Sequence, residues 1–348
     1  MTGRATPCDN LERMARAKAR HWRERMTGTP LHDALGVWML VWSYAPIVAA
    51  IWVFDRWPSV GTLLLAIVIT GVRMNALFVA AHEAYHYNLF RSRKLNVWVG
   101  GALASYAVMM PFFHSRTSHW DHHRYVGTDR DPDAPAWDWS AHERWRFARE
   151  MLMLATGLSY VERVARLVLG VPRVETNGAR RARPMPEGDL KTQEIKRLVA
   201  AQLAVLGVFT VTVGPMWYVP LWLLPSVSIF RAWVSLREML EHRRGAIIVY
   251  RAGLIERFLL GCFNFHLHAY HHAHASAPWF TLPALKEKAH AKLDGIVYLD
   301  SYFAELYAYM RGRSVVPSRG VEPAEAMAAG DVPLDERGET EQRPEGER

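Results

Sequence analysis

The 348-residue chain holds 16 histidines, and twelve of them fall in four places. The first is His82-Glu-Ala-Tyr-His86. The second is His114-Ser-Arg-Thr-Ser-His119-Trp-Asp-His122-His123. The third is His242 alone, after Leu240-Glu241. The fourth is His266-Leu-His268-Ala-Tyr-His271-His272-Ala-His274. On a helix, residues three and four apart share a face. His82 and His86 therefore pair, and His119, His122 and His123 form one stripe, as do His268, His271 and His272. At about 100° per residue, His114, His266 and His274 point away from those stripes. Nine candidate ligands remain: His82, His86, His119, His122, His123, His242, His268, His271 and His272.

Neutral imidazole suits iron, copper, zinc and nickel. Nine imidazoles are too many for one ion and suit two, each with four or five. With two cysteines, Cys8 and Cys262, no thiolate-based zinc or iron–sulfur site can be built. A di-iron centre that activates O2 fits best, because the site opens toward a membrane and so toward apolar substrates. A rival reading takes His82-Glu83-Ala84-Tyr85-His86 as the HExxH motif of a zinc metalloprotease at a membrane helix, with Glu83 as the base. That reading leaves seven histidines without a role.

Such ligands need helices to hold them. The chain has an uncharged apolar run at 35–54, about 30 Å of helix and so the thickness of a bilayer core. A second run, 60–81, carries one charge, Arg73, expected to point inward or to snorkel. Two more runs, 198–213 and 216–234, are separated by Gly214-Pro215, a turn signal. Trp52, Trp57, Trp217 and Tyr218 sit at run ends, as at membrane interfaces. A mean hydropathy of −0.07 conceals this clumping. The expected fold is all-α and integral to a membrane. It has four spans in two hairpins and a cytoplasmic helical cap that holds the di-iron site.

The run at 96–113 is expected to be re-entrant, because a single crossing would put the histidines on opposite faces. The segment 143–169 reads as an interfacial amphipathic helix. The domain plan is then a basic N-terminal segment over 1–33, a membrane domain over 34–295, a C-terminal helix over 296–316 and a disordered tail over 317–348.

The excess of basic residues, 42 Lys and Arg against 34 Asp and Glu, concentrates before the first span, in the middle segment and after the fourth span. Positive-inside placement puts both termini and the site on the cytoplasmic side, with a bacterial inner membrane as the expected location. This pattern explains the charge without nucleic-acid binding.

Together these features resemble the membrane fatty acid desaturase and hydroxylase superfamily, over about residues 35–290. The HxxxH, HxxHH and HxxHH boxes stand in register with the spans. The segment His123-Arg-Tyr-Val-Gly-Thr-Asp-Arg-Asp-Pro-Asp133 looks like the stretch after the family's second box. Pro278-Trp279-Phe280 and Leu282-Pro283 look like the stretch after the third, and His242 matches the family's extra ligand between the last span and the third box.

The resemblance implies two iron ions, O2 as co-substrate, and desaturation of an acyl chain on a lipid, acyl-CoA or acyl-carrier protein. Hydroxylation is the alternative outcome. The chain lacks the His-Pro-Gly-Gly signature of a fused cytochrome b5. Electrons are therefore expected from a separate ferredoxin, rubredoxin or cytochrome b5 with its reductase. Ligating histidines are commonly oriented by carboxylates. Glu83, Asp121, Asp129, Asp131, Glu238 and Glu241 are close enough in sequence to do this. Asn75, seven residues before His82, could support the site or line a substrate channel.

Overall fold

A computed structural model describes residues 29–128, 130–133, 139–169, 189–243, 246–288, 296–314 and 316. Helix α1 runs Pro30–Arg56, with Pro30 in the first turn where no N–H is needed. Helix α2, Val60–Tyr85, starts at a capping box. Ser59 accepts from the Thr62 N–H, and the Thr62 hydroxyl closes on Ser59. Every α2 residue from Thr70 to Tyr85 is buried, so this helix forms the central post of the fold. Its Gly71 permits close packing, since a Cβ there would lie 2.6 Å from the Cβ of Ile229.

Arg73 does point inward. It is 1 % exposed and donates to the Phe258 carbonyl at 2.7 Å and the Trp42 carbonyl at 3.2 Å. Its guanidinium also lies 4.3 Å from the Phe258 ring centre. A buried charge is thereby satisfied by carbonyls and an aromatic face.

After α2 the chain turns at Tyr87 (φ 58°). Asn96 closes that turn. Its Oδ1 accepts from the Leu89 and Phe90 N–H groups, and its Nδ2 donates to the Phe90 and Ser92 carbonyls. Helix α3, Arg93–Val108, is wound loosely over Asn96–Ser105 and tightly at its end. The left-handed Met109 and then Pro111 break it, and α4, Phe112–Tyr125, leaves at 88°. The apolar run at 96–113 is therefore a bent element and not a straight rod.

Helices α5, Arg144–Ala155, and α6, Leu158–Val168, meet at the left-handed Gly157. The expected single helix over 143–169 is thus two. On α6, Val161 and Val168 are 61 % and 78 % exposed, which leaves an apolar stripe uncovered.

Helix α7 runs Asp189–Val211. Its Glu194 accepts from the Tyr106 hydroxyl at 2.5 Å and the Phe113 N–H at 3.0 Å. Gln202 donates to the Tyr106 and Ala107 carbonyls. These bonds fasten α7 to the α3–α4 corner. The run expected to span at 198–213 lies here, on a helix that is not among the candidate spans of the described residues. Past Arg197, α7 continues for 14 residues, about 21 Å and short of a bilayer core of about 30 Å.

Helix α8, Pro215–His242, is interrupted at Ser228 and contains the run expected at 216–234. Three helices among the described residues, α1, α2 and α8, are long and apolar enough to cross a membrane. The count rises to four if the bent α3–α4 pair is one span.

Beyond α8 come strand β1, Ile248–Tyr250, and helices α9, Leu254–Leu259, α10, His268–Ala273, and α11, Leu282–Lys288. Strand β2, Val297–Leu299, pairs in parallel with β1, with Ile248 opposite Val297. Helix α12 covers Tyr302–Met310. A C-terminal helix over 296–316 is therefore corrected to a strand followed by a shorter helix, and the fold is mostly helical with one small parallel sheet. The pairing is sealed by Tyr250 stacked on Tyr302 at 3.8 Å between ring centres. Both rings are fully buried.

Candidate metal centre

Four elements deliver the nine histidines. His82 and His86 close the end of α2. His119, His122 and His123 project from α4. His242 ends α8, and His268, His271 and His272 lie on α10. A fixed bend ahead of α10 positions the last three, with Phe263 and Asn264 both at positive φ. Asn264 donates to the Trp279 carbonyl, and Asn75 of α2 reaches the Leu259 and Leu260 carbonyls just before the bend. Asn75 thus supports the site through the backbone of the third histidine segment.

The nine rings form two groups, each with ligand atoms within 4.8 Å of one another. The first holds His82, His86, His119, His123 and His271. The second holds His122, His242, His268 and His272. In the first, Nε2 atoms face one another at 2.9 Å (His86–His119), 3.0 Å (His119–His123) and 3.1 Å (His123–His271). The His82 ring lies 4.2 Å from His119 and 4.5 Å from His271. In the second, the spacings are 3.3 Å (His122–His242), 2.9 Å (His242–His272) and 3.1 Å (His272–His268). His114, His266 and His274 belong to neither group.

This arrangement makes chemical sense around cations. A neutral imidazole has one N–H and one lone pair. At these distances the N–H of one ring can donate to the lone pair of the next, whereas a cation among the rings would take all of the Nε2 lone pairs at once. The electrostatics favour the same state. Burial and then neighbouring charges, His122 and Arg237, push His271 down to about 3. Burial does the same to His268 and His272, both held well below the ordinary range with help from adjacent imidazoles. These rings are neutral at physiological pH, the form that binds metal. The residues present therefore fit two metal ions.

The carboxylates divide in their roles. Asp131 is fully buried and places both oxygens on His122 Nδ1, at 3.0 and 3.1 Å. That contact fixes which nitrogen of His122 faces the centre. Asp133, two residues on, lies 3.7 Å from the same nitrogen, and burial raises its carboxyl to about 6. Glu83 Oε2 accepts the Trp279 N–H at 2.9 Å and pins the segment after the third histidine group, while its Oε1 lies 3.9 Å from His82 Nδ1. Glu241, although next to His242, pairs with Arg237 at 2.6 Å and accepts from the Tyr302 hydroxyl at 2.9 Å. Asp121 lies half-buried on α4. Asp129 is outside the described residues.

Between the two groups is a cavity of about 30 Å³, room for one water-sized molecule. Histidines of both groups wall it, together with Phe78, Arg237, Asp133 and Glu238. Phe265 packs 4.7 Å from the His82 ring and keeps that flank dry. Sequence reasoning missed Asp133, Arg237 and Phe265 as parts of the site. Asp133 lay in the quoted segment, two residues past Asp131. For Arg237 and Phe265 no local pattern distinguishes a site residue from ordinary core.

Residues 56–303 match the family model of fatty acid desaturases. The chain belongs to the fatty acid desaturase family. No individual curated protein is a significant match. Di-iron sites are known in this membrane family. With three to four apolar helices of spanning length, this desaturase-family protein is integral to a membrane. The metalloprotease reading of His82–His86 finds no support in the family.

Proposed function

We propose that this protein is an O2-dependent di-iron oxidoreductase that introduces a double bond into an acyl chain or similar amphipathic, lipid-like substrate. The observation that carries the proposal is the convergence of nine imidazoles into adjacent sets of five and four. His82, His86, His119, His123 and His271 would hold one iron, and His122, His242, His268 and His272 the other. When bound, the iron pair supplies O2 reduction and removal of hydrogen from an unactivated C–H bond. The balance is one R–CH2–CH2–R′, one O2, two electrons and two protons giving one R–CH=CH–R′ and two waters.

The chain's own residues prepare that chemistry. Asp131 accepts the Nδ1–H of His122 and so presents the Nε2 lone pair to the second group. Glu83 and Asn75 hold the segments around α10 against α2, which keeps histidines of distant sequence in register. Phe78 and Phe265 exclude water beside the cavity, which strengthens electrostatic interactions inside it. The Asp133 carboxyl lies at the cavity wall, 3.7 Å from His122 Nδ1.

The substrate in this reading is carried on a lipid, CoA or acyl-carrier protein. A separate electron-donor protein serves the site from the cytoplasmic side of a bacterial inner membrane. The test is lipid and metabolite profiling of cells with and without the protein, with a His272→Ala variant as control. Desaturation gives products two hydrogens lighter. Products one oxygen heavier would instead identify a hydroxylase, and an unchanged profile would refute both.

A further inference from the structure

The reaction proposed above consumes two electrons that the chain cannot supply, so a route inward must exist. One flank of the centre has the properties of such a route. Trp120 of α4 stacks edge-on against His86 at 4.7 Å between ring centres and lies 5.9 Å from His123. Both histidines belong to the group of five. Trp120 is half-buried, so it links a ligand candidate to the protein exterior with one side chain. Electron tunnelling falls steeply with distance, and an aromatic ring in contact with a ligand shortens the gap.

The surface around Trp120 is basic. Arg116, one turn before it, lies 4.5 Å from the Tyr87 ring centre, and Arg93 lies 5.2 Å from the same ring. Lys94 and Arg124 are exposed nearby in sequence, the latter one turn after Trp120. Among the described residues none of these four cations has a carboxylate partner, whereas the neighbouring Arg91 is paired with Asp33 at 2.7 Å. Arg116 also keeps a buried Nε without a hydrogen-bond acceptor. Arg93 and Arg116 on the Tyr87 ring, with exposed Lys94 and Arg124 next to them along the chain and no carboxylate partner among the described residues, are complementary to an acidic protein surface.

The alternative occupant, an anionic substrate headgroup, fits less well. Neither Trp120, Arg116 nor His86 lines the cavity between the two histidine groups, which is walled instead by Phe78 and Arg237 of α2 and α8. A headgroup at Arg116 would be separated from that cavity by the ligand histidines themselves.

We propose that Arg93, Lys94, Arg116 and Arg124 form the docking face for an acidic one-electron carrier protein, and that Trp120 is the positioning residue through which its electrons reach the His86 side of the centre. This rests on the di-iron reading, since without a reducible centre no electrons are needed. Two successive one-electron deliveries oxidise two reduced carriers and reduce the centre by two electrons.

The test uses the full-length, metal-loaded protein in detergent under anaerobic conditions. Reduced plant-type [2Fe–2S] ferredoxin, an acidic carrier, is mixed with it, and ferredoxin reoxidation is followed at its own visible band. Reduced methyl viologen, a small cation that needs no docking, is the comparison reductant. In Arg93→Glu/Lys94→Glu, the ferredoxin concentration giving half-maximal rate should rise about tenfold and lose its salt dependence, with viologen reduction unchanged. Trp120→Leu should lower the maximal ferredoxin rate about tenfold, and Trp120→Phe should restore it. Arg313→Glu, an exposed control on another surface, should behave as the parent protein.

Equal ferredoxin kinetics in all variants would overturn the docking proposal alone. So would a charge-reversal variant that, once O2 and substrate are admitted to the viologen-reduced protein, forms no product while the parent does, since the face would then serve the substrate. If Trp120→Leu does not load metal, the charge-reversal pair decides. A parent protein that takes up no electrons from viologen would overturn the di-iron reading and this proposal with it.

Discussion

Asp131→Asn isolates what one carboxylate contributes to the second histidine group. Asp131 is fully buried, with oxygens 3.0 and 3.1 Å from His122 Nδ1. His122 in turn faces His242 with its Nε2 at 3.3 Å. Asparagine keeps an acceptor in place and removes the charge, whereas alanine removes both. A hydrogen bond to a charged group contributes about 1.5–3 kcal/mol, and each 1.4 kcal/mol is about tenfold in affinity. Loss of a partner behind a metal-bound histidine costs about 10- to 100-fold in metal affinity. Asp131→Asn should fall near the lower bound and Asp131→Ala near the upper. The effect should be confined to one ion, because the ring that Asp131 holds, His122, belongs to the group of four. Titration of the loaded protein with a competing chelator should show one ion released early and one held as in the parent. Two ions retained at parental affinity in both variants would refute the assignment of Asp131 as the support of His122.

Other consequences follow from single contacts. Glu83→Gln keeps an acceptor for the Trp279 N–H, so metal content and product formation should persist within about tenfold; complete loss of activity with metal retained would favour Glu83 as a catalytic base. Arg237→Met should destabilise the protein by about 3–5 kcal/mol because it strands the buried Glu241 carboxylate, and Arg237→Met/Glu241→Gln should recover part of that loss in thermal unfolding. Gly71→Ala drives a Cβ to 2.6 Å from Ile229 and should cost about 1–3 kcal/mol; an unchanged melting temperature would show that α2 and α8 separate easily.

Acid should destabilise the metal-free protein. His271 falls from an ordinary 6.5 to about 3 in the fold, so the unfolded chain binds more protons between those values. Its contribution is complete above pH 6.5 and is lost as pH falls toward 3, at up to about 1.4 kcal/mol per pH unit. Melting temperatures between pH 7.5 and 5.5 should decline, and a flat profile would contradict burial of the neutral rings.

The sequence carried much of the centre on its surface. The stripes at spacings of three and four named all nine rings that the structure gathers, because short helices α4 and α10 keep the geometry that the spacing implies. Their partition was not legible. His122 and His123 are adjacent yet serve different groups, and His271 separates from His268 and His272 in the same way. A face about 100° wide can straddle two ions, and only the neighbouring helices decide which ring turns which way. The Arg237–Glu241–Tyr302 network was hidden for a different reason, since Tyr302 joins Glu241 across 61 positions. Strand β2 is three residues long, too short for alternation to announce it beside a tyrosine-rich helix. The bend of α3 against α4 was readable in part, from Pro111 and the need to keep the histidines on one side. Its left-handed Met109 was not, because methionine carries no signal for that conformation.

The most direct test of the whole account is metal analysis of the purified full-length protein alongside one variant from each histidine group. The parent should carry two irons per chain. His86→Ala should lose the iron of the group of five and His268→Ala that of the group of four, each retaining about one. A single ion per chain, zinc in place of iron, or two irons undiminished in both variants would contradict the two-group di-iron centre.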